Sequence, residues 1–334
     1  MRGHVLVTGG AGYIGGHCSL ALQAAGYQPV LFDNLSTGHR AIVNILKMPF
    51  HHGDVRNPGD LERVFKKYKF VGVLHFAGVA LVGESVYEPE KYYAINTQGG
   101  LNLLLAMEAH GVKNIVFSST CATYGQPKKV PIGEDTPQHP INPYGRSKLC
   151  FETMLESWAQ CREFRYAALR YFNACGCDPK GRLGEDHDPE THLIPIVMEV
   201  AMGRREALTV FGDDYATPDG SCIRDYIHVD DLADAHLRAL KHLTGGKGEA
   251  ALKLNLGTGR GLSVLKLARL AEAVTGRKIP VKIGPRRWGD PAKLVADPRL
   301  AQKKLGFVCQ HSDPQHILET TWGWFRDHPT GYPK

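Results

Sequence analysis

The sequence predicts an α/β protein: a doubly wound parallel sheet followed by a smaller mixed α/β unit. Two observations carry this expectation. Through the first half, short apolar runs of strand length alternate with helical patterns, the signature of parallel strand-helix-strand units. After residue 171 that alternation is lost, and Gly, Pro and Asp cluster over 173–195. The first unit is therefore placed at 1–172, with 225–258 returning to it, and the second at 173–334.

HVLVT (4–8) reads as the first strand, and a helical pattern runs from Tyr13 to Gly26. PVLFD (29–33) is the second strand. Asn57 before Pro58 reads as an N-cap and first helical residue, opening a helix to about Tyr68. VGVLHFA (71–77) is another buried run, and one long helix is expected from Pro89 to near Gly111. NIVFSS (114–119) and YAALRY (166–171) are further strands, with a helix over NPYGRSK (142–148) between them. Later, DYIHVDDLADAHLRAL reads as a helix and LKLNLG as a strand, the pair that returns to the first unit.

Composition excludes several classes. The 334 residues are 43% hydrophobic and 22% charged, as in a globular protein. The net charge of +6 is spread without a Lys/Arg run, so no nucleic-acid partner is expected. No apolar run reaches the about 18 residues of a membrane helix. The stretch MRGHVLVTGG runs straight into a structural motif, so no signal peptide is expected. The eight cysteines are scattered, and the sole close pair, Cys175 and Cys177, lacks zinc-knuckle spacing. They are expected as reduced thiols in a cytoplasmic protein. The 16 histidines include no HExxH pattern, and no metal is predicted.

TGGAGYIG (8–15) follows the first strand and opens a helix, with glycines at 9, 12 and 15. Glycines there allow a tight turn and let the backbone approach a pyrophosphate, whose charge the helix N-terminus favours. Asp33 ends the next strand, where a carboxylate binds a ribose 2′-hydroxyl and repels a 2′-phosphate. A Rossmann-type sheet binding NAD rather than NADP follows.

Tyr144 and Lys148 are four residues apart, one helical turn, and so share a face. A free phenol titrates near about 10. A base working at neutral pH needs a lower value, which a nearby cation supplies. Lys148 is expected to lower Tyr144, and Thr120, ending NIVFSST, to share the proton and orient the substrate.

These motifs, with DNLSTG (33–38), GDVR (53–56), HFAG (75–78), VGES (82–85), SSTCATYG (118–125), LRYFN (169–173), RDYIHVDDLADAH (224–236) and RRWGDP (286–291), resemble the extended short-chain dehydrogenase/reductase family, and within it the UDP-glucose (UDP-galactose) 4-epimerases. The resemblance runs from Val5 to Pro333. It implies a homodimer with tightly bound NAD and a UDP-sugar substrate. Tyr144 takes the proton of the sugar 4-hydroxyl, a transient 4-keto sugar forms, and its other face is rereduced. Thr120 stands at the family's Ser/Thr position, and Lys148 binds the nicotinamide ribose. The resemblance further places Gly9, Gly12, Tyr13 and Ile14 at the pyrophosphate. It puts Asp33, Asn34, Ser36, Thr37 and Gly38 at the adenosine ribose, and Asp54 and Val55 at the adenine. Phe76, Ala77, Gly78, Asn96 and Phe172 enclose the rest of the cofactor. For the nucleotide sugar it implies Asn173, Leu193, Phe211, Arg224, Tyr226, Arg287 and Asp290. Two arginines suit a diphosphate, and Asp290 a ribose hydroxyl.

Three positions depart from the pattern or leave it open. Ala80 stands where many epimerases carry Lys, as in some UDP-xylose/UDP-arabinose 4-epimerases, and His192 stands where many carry Asn. Leu294 is intermediate in bulk at a position that gates N-acetylated sugars, so UDP-N-acetylhexosamines stay open. A dehydratase would need an Asp–Glu pair after Thr120, where this chain has Cys121 and Ala122. A non-catalytic NAD sensor on the same fold is the remaining rival; its Tyr/Lys pair would be degraded, and here both are kept.

Overall fold

A computed structural model describes residues 2–246, 248–287 and 290–333. Seven strands form one sheet. In chain order the first six are β1 (His4–Thr8), β2 (Gln28–Asp33), β3 (Phe50–His52), β4 (Phe70–His75), β5 (Asn114–Thr120) and β6 (Arg165–Tyr171). Four short strands follow: β7 (Asn173–Cys175), β8 (Leu208–Phe211), β9 (Ile223–Arg224) and β10 (Tyr226–His228). Then β11 (Ala251–Leu256) rejoins the sheet beside β6. The order is β11-β6-β5-β4-β1-β2-β3, and every pairing is parallel. Central strands of such a sheet are covered on both faces, which is why they read as unbroken apolar runs. Val5, Leu6 and Val7 of β1 have no exposed surface.

Two apolar clusters sandwich the sheet. One lies under the helices Tyr13–Ala24 and Val229–Thr244 and continues into the C-terminal helices Val264–Thr275 and Pro314–Asp327. The other lies under Pro58–Lys67, Gly99–Ala109 and Pro143–Arg162. Asn57 caps the first of these by accepting from the Gly59 amide at 3.0 Å. Asn142 caps the last through the Gly145 amide at 2.8 Å.

Three differences from the sequence reading stand out. The expected helix from residue 89 is interrupted: Pro89–Tyr92 and Gly99–Ala109 are α-helical, but Tyr93–Gln98 between them forms wider π-type turns. Such turns re-aim side chains in ways that hydrophobic periodicity does not register, and they recur at functional sites. DYIHVDDLADAHLRAL begins as β10, not helix; the helix starts at Val229, where the His228 ring accepts from the Asp230 amide at 3.0 Å. The strand β3 and the helix Arg40–Leu46 escaped notice because both are short, and β3 is an edge strand carrying His51 and His52.

Beyond β6, the strands other than β11 form small separate pairings. β7 pairs with β10, and β8 with β13 (Val281–Gly284), which is the next strand after β12 (Leu262–Ser263). β9 lies between β12 and β14 (Lys293–Leu294). Among the described residues, no helix is long and apolar enough to cross a membrane.

Candidate active site

A sheet whose order reverses about a central strand leaves a crevice at the carboxyl ends of its strands. Here β1, β2, β4 and β5 end in Thr8, Asp33, His75 and Thr120. A cleft of about 1490 Å³ opens there, between the sheet and the segments after β6. Every residue proposed above for cofactor, sugar or catalysis lines it except Asn96. The RRWGDP motif contributes Arg287 and Asp290; its Trp288 and Gly289 lie outside the described residues.

The glycine loop folds against its own neighbours. Gly9 has φ +71°, and a Cβ on it would lie 2.6 Å from the Ala77 amide nitrogen. A Cβ on Gly15 would lie 2.2 Å from the Gly9 carbonyl oxygen. Gly12 caps the helix Tyr13–Ala24, whose first turn therefore faces the cleft. The Tyr13 hydroxyl donates to the Gly176 carbonyl at 2.5 Å, tying this loop to the second half of the chain.

At the end of β2, Asp33 is buried and its carboxylate accepts from the Ala11 amide at 3.1 Å and the Leu35 amide at 2.8 Å. Burial raises its pKa and these amides oppose the shift. Asn34 donates to Asp54 at 2.8 Å, and the Arg56 guanidinium beside Asp54 pulls that carboxyl down to about 2.

Tyr144 and Lys148 both reach the cleft from the helix Pro143–Arg162. Their electrostatics differ from the expectation that Lys148 lowers Tyr144. Burial pushes the phenol up to about 12, and the group that pulls it down is the Thr120 hydroxyl bonded to it. Burial alone lowers the Lys148 ammonium to about 8. The ammonium donates to the Ser118 carbonyl at 3.1 Å and lies 5.0 Å from the centre of the Phe117 ring. The protein's own groups therefore leave Tyr144 a weak acid.

Gly78 lets the cleft wall come this close: a Cβ there would lie 2.8 Å from Asn96 Oδ1 and 3.2 Å from Lys148 Nζ. Asn96, on the π-type turns, sits behind the wall instead of in the cleft. Its amide accepts from the Val79 amide at 2.9 Å and donates to the Val79 carbonyl at 3.1 Å and to Ser147 at 3.0 Å. It positions the loop before VGES and the Tyr144 helix together. Ala80 is exposed in the same loop and offers no donor where the family pattern has Lys.

The arginines are already engaged. Arg224 donates to Asp290 at 2.5 Å and to the Ile223 and Pro291 carbonyls, both at 2.9 Å. The Arg287 guanidinium lies 3.8 Å from the centre of the Phe211 ring. Asn173 holds the Asp225 carbonyl at 2.8 Å. Tyr226 is buried, and Leu193, Cys222 and Leu294 complete this wall.

Sequence reasoning missed the support beneath the catalytic groups. Glu152 and Arg170 form a fully buried pair, with 2.5 and 3.0 Å contacts. Ser119 donates to Glu152, and Arg170 also donates to the Tyr124 hydroxyl at 2.8 Å. Glu152 lies four residues beyond Lys148 on the same helix face, a spacing that was available in the sequence. It also missed Glu185, His187 and Glu190, which line the cleft beside His192.

The comparisons with known proteins agree with this geometry. A model of the NAD dependent epimerase/dehydratase family matches residues 5–257. The UDP-glucose 4-epimerase of Halalkalibacterium halodurans is 49% identical over 328 residues, covering 98% of this chain and 97% of its own. A UDP-glucose 4-epimerase from Brucella ovis, solved in complex with NAD, superposes with a TM-score of 0.93 at 51% identity, covering 97% of this chain and 98% of its own. One from Bifidobacterium longum, solved with NAD+ and UDP, gives 0.92 at 40% identity, covering 98% and 100%.

Proposed function

This chain belongs to the NAD dependent epimerase/dehydratase family, and we infer that it is an NAD-dependent UDP-sugar 4-epimerase whose pair is UDP-glucose and UDP-galactose. The observation that carries the reading is the convergence of the glycine loop, Tyr144, Lys148 and the two arginines on one cleft. The cleft fits NAD by its own geometry. The glycine cradle has no room for side chains at Gly9 and Gly15, a helix N-terminus faces it, and a buried carboxylate stands at the end of β2. Gly9, Gly12, Tyr13 and Ile14 would hold the pyrophosphate, Asp33 the adenosine ribose, and Lys148 the nicotinamide ribose. When bound, NAD supplies the hydride acceptor and donor and, oxidised, a positive charge near the phenol.

The chain's own residues handle the proton. Tyr144 takes it from the sugar 4-hydroxyl and returns it to the oxygen of the 4-keto sugar. The Thr120 hydroxyl shares the phenol's hydrogen bond and so stabilises the phenolate. Cys121 and Ala122 offer no carboxylate: burial pushes the Cys121 thiol up to about 12, so it stays protonated. Without an acid–base pair at C5 and C6, elimination has no catalyst, and rereduction is the exit left to the keto sugar. Arg224 and Arg287 are the diphosphate cations, and Asp290 accepts from the uridine ribose.

Several finer assignments belong to the same proposal. Residues 173–334, apart from 225–258, form the UDP-sugar unit. The protein is a cytoplasmic homodimer joined through the helices Gly99–Ala109 and Pro143–Arg162, and Leu105, 50% exposed on the first, suits such a contact. The eight unpaired cysteines accord with a reducing compartment. The deciding experiment incubates the purified protein with UDP-glucose, UDP-galactose, UDP-xylose, UDP-arabinose and the two UDP-N-acetylhexosamines, without added reductant, and resolves products by chromatography. Fastest interconversion of the glucose and galactose forms is expected. Failure to invert C4 of any of them, with NAD bound, overturns the enzyme reading.

A further inference from the structure

One short loop before the helix Leu193–Ala201 gathers four potential ligands for which the catalytic account has no use: Glu185, His187, Glu190 and His192. One ligand atom from each lies within 4.8 Å of all the others. His192 Nδ1 is 2.7 Å from Glu185 Oε1 and 3.8 Å from Glu190 Oε1. His187 Nδ1 is 3.6 Å from Glu185 Oε1 and 3.5 Å from Glu190 Oε2. Tetrahedral bonds of about 2.0–2.1 Å set donors about 3.3 Å apart, so small side-chain shifts would complete the geometry.

The setting is unlike that of an ordinary acidic surface patch. The Glu185 and Glu190 side chains are only 2% and 6% exposed. Among the described residues, the basic side chains within 4 Å of either carboxylate are these two imidazoles, with no Lys or Arg. His187 Nδ1 is shielded from solvent and points between the two carboxylates, at ion-pair distance from both and without a short hydrogen bond to either. The loop is also held from outside the cluster. Tyr332 accepts from the Gly184 amide at 2.8 Å and donates its own amide to Asp186 at 2.8 Å, and the His39 ring meets the Asp186 carbonyl at 2.9 Å.

We propose that Glu185, His187, Glu190 and His192 bind one divalent transition-metal ion of the zinc class. Two carboxylates neutralise its charge, and two imidazoles with two carboxylate oxygens are a borderline donor set that suits zinc over the six or more oxygens sought by calcium. Four protein ligands close the coordination sphere, so the ion holds the loop in place and does not act on the sugar. The loop forms part of the cleft wall, with the His187 ring edge-on to Tyr13 at 6.4 Å.

The test uses tag-free protein with its NAD, stripped with a chelator and titrated with Zn2+ by calorimetry and with Co2+ by visible absorption. One Zn2+ per chain is expected, together with the intense visible bands of tetrahedral Co2+, bleached by Zn2+. Glu185→Gln and His187→Asn, each checked for folding by circular dichroism and for NAD content, should weaken binding at least ~100-fold, beyond the effect typical of lost outer-shell partners. His311→Asn, in the separate cluster with His228 and His316, should leave it unchanged. The Co2+ spectrum of the unmutated chain needs no variant, so a folding failure does not blunt the test. Absence of tetrahedral bands, binding that survives in the loop variants, or binding lost in His311→Asn overturns the site and leaves a hydrogen-bonded His–Glu cluster.

Discussion

At the cofactor end of the cleft, Asp33 and the glycine loop are fixed by backbone close in sequence or on a neighbouring strand end. Asp33 is clamped by the Ala11 and Leu35 amides, and the glycine loop packs on Ala77. At the sugar end, charged side chains from distant segments hold one another. Arg224 is paired with Asp290, 66 residues away, and Arg287 lies over Phe211. The first arrangement is preorganised for a ligand that stays. The second would have to exchange partners under the proposed function, because the Arg224 offered to a diphosphate is already held by Asp290. A tightly held cofactor and a substrate that must leave with inverted stereochemistry call for these two kinds of site.

The comparison breaks most sharply where the two ends meet. Tyr144→Phe should lower kcat about 10³-fold, the middle of the range for a positioned acid–base group. NAD content by absorbance and the unfolding midpoint should stay at wild-type values. Near-normal turnover would remove Tyr144 as the base.

A smaller effect sharpens the division. Charged hydrogen bonds contribute about 1.5–3 kcal/mol, so Asp33→Ala should weaken NAD retention about tenfold to a hundredfold, read by filtration, with the KM for UDP-galactose little changed. Arg287→Ala should do the reverse, raising KM about tenfold while NAD stays bound. If each variant moved both readouts equally, the two ends would not be separate.

The smallest effect is on pH dependence. Lys148 has a pKa near 8 in the fold against about 10.4 unfolded. Between those values the unfolded chain holds more protons, so the Lys148 contribution to stability rises with pH across that window. Lys148→Met should therefore be more stable than wild type at pH 7. Its advantage in urea midpoint should shrink as pH climbs from about 8 to about 10. Parallel curves would show that the ammonium is not buried.

Legibility in the sequence followed the same division. The parallel sheet was readable because strands covered on both faces need continuous apolar runs, as HVLVT and NIVFSST show. The cap at Asn57 was readable because it serves an amide two residues away. The π-type turns at Tyr93–Gln98 were not, since hydrophobic spacing cannot distinguish them from an α-helix over six residues. The sugar end was legible through family resemblance alone; no local pattern brings residues 173, 224, 287 and 290 together.

By itself, then, the sequence determined the long strands of the sheet, the phosphate loop, the Tyr144/Lys148 face and the lack of carboxylates after Thr120, all of them properties of neighbouring residues. Tertiary structure decided what those groups feel. It buried Tyr144 to about 12 and Lys148 to about 8, turned Asn96 behind the wall, and paired Arg224 with Asp290. Proton affinity and ion pairing depend on the dielectric and the charges within a few ångströms. Those surroundings come from segments far apart in the chain, and folding alone brings them together.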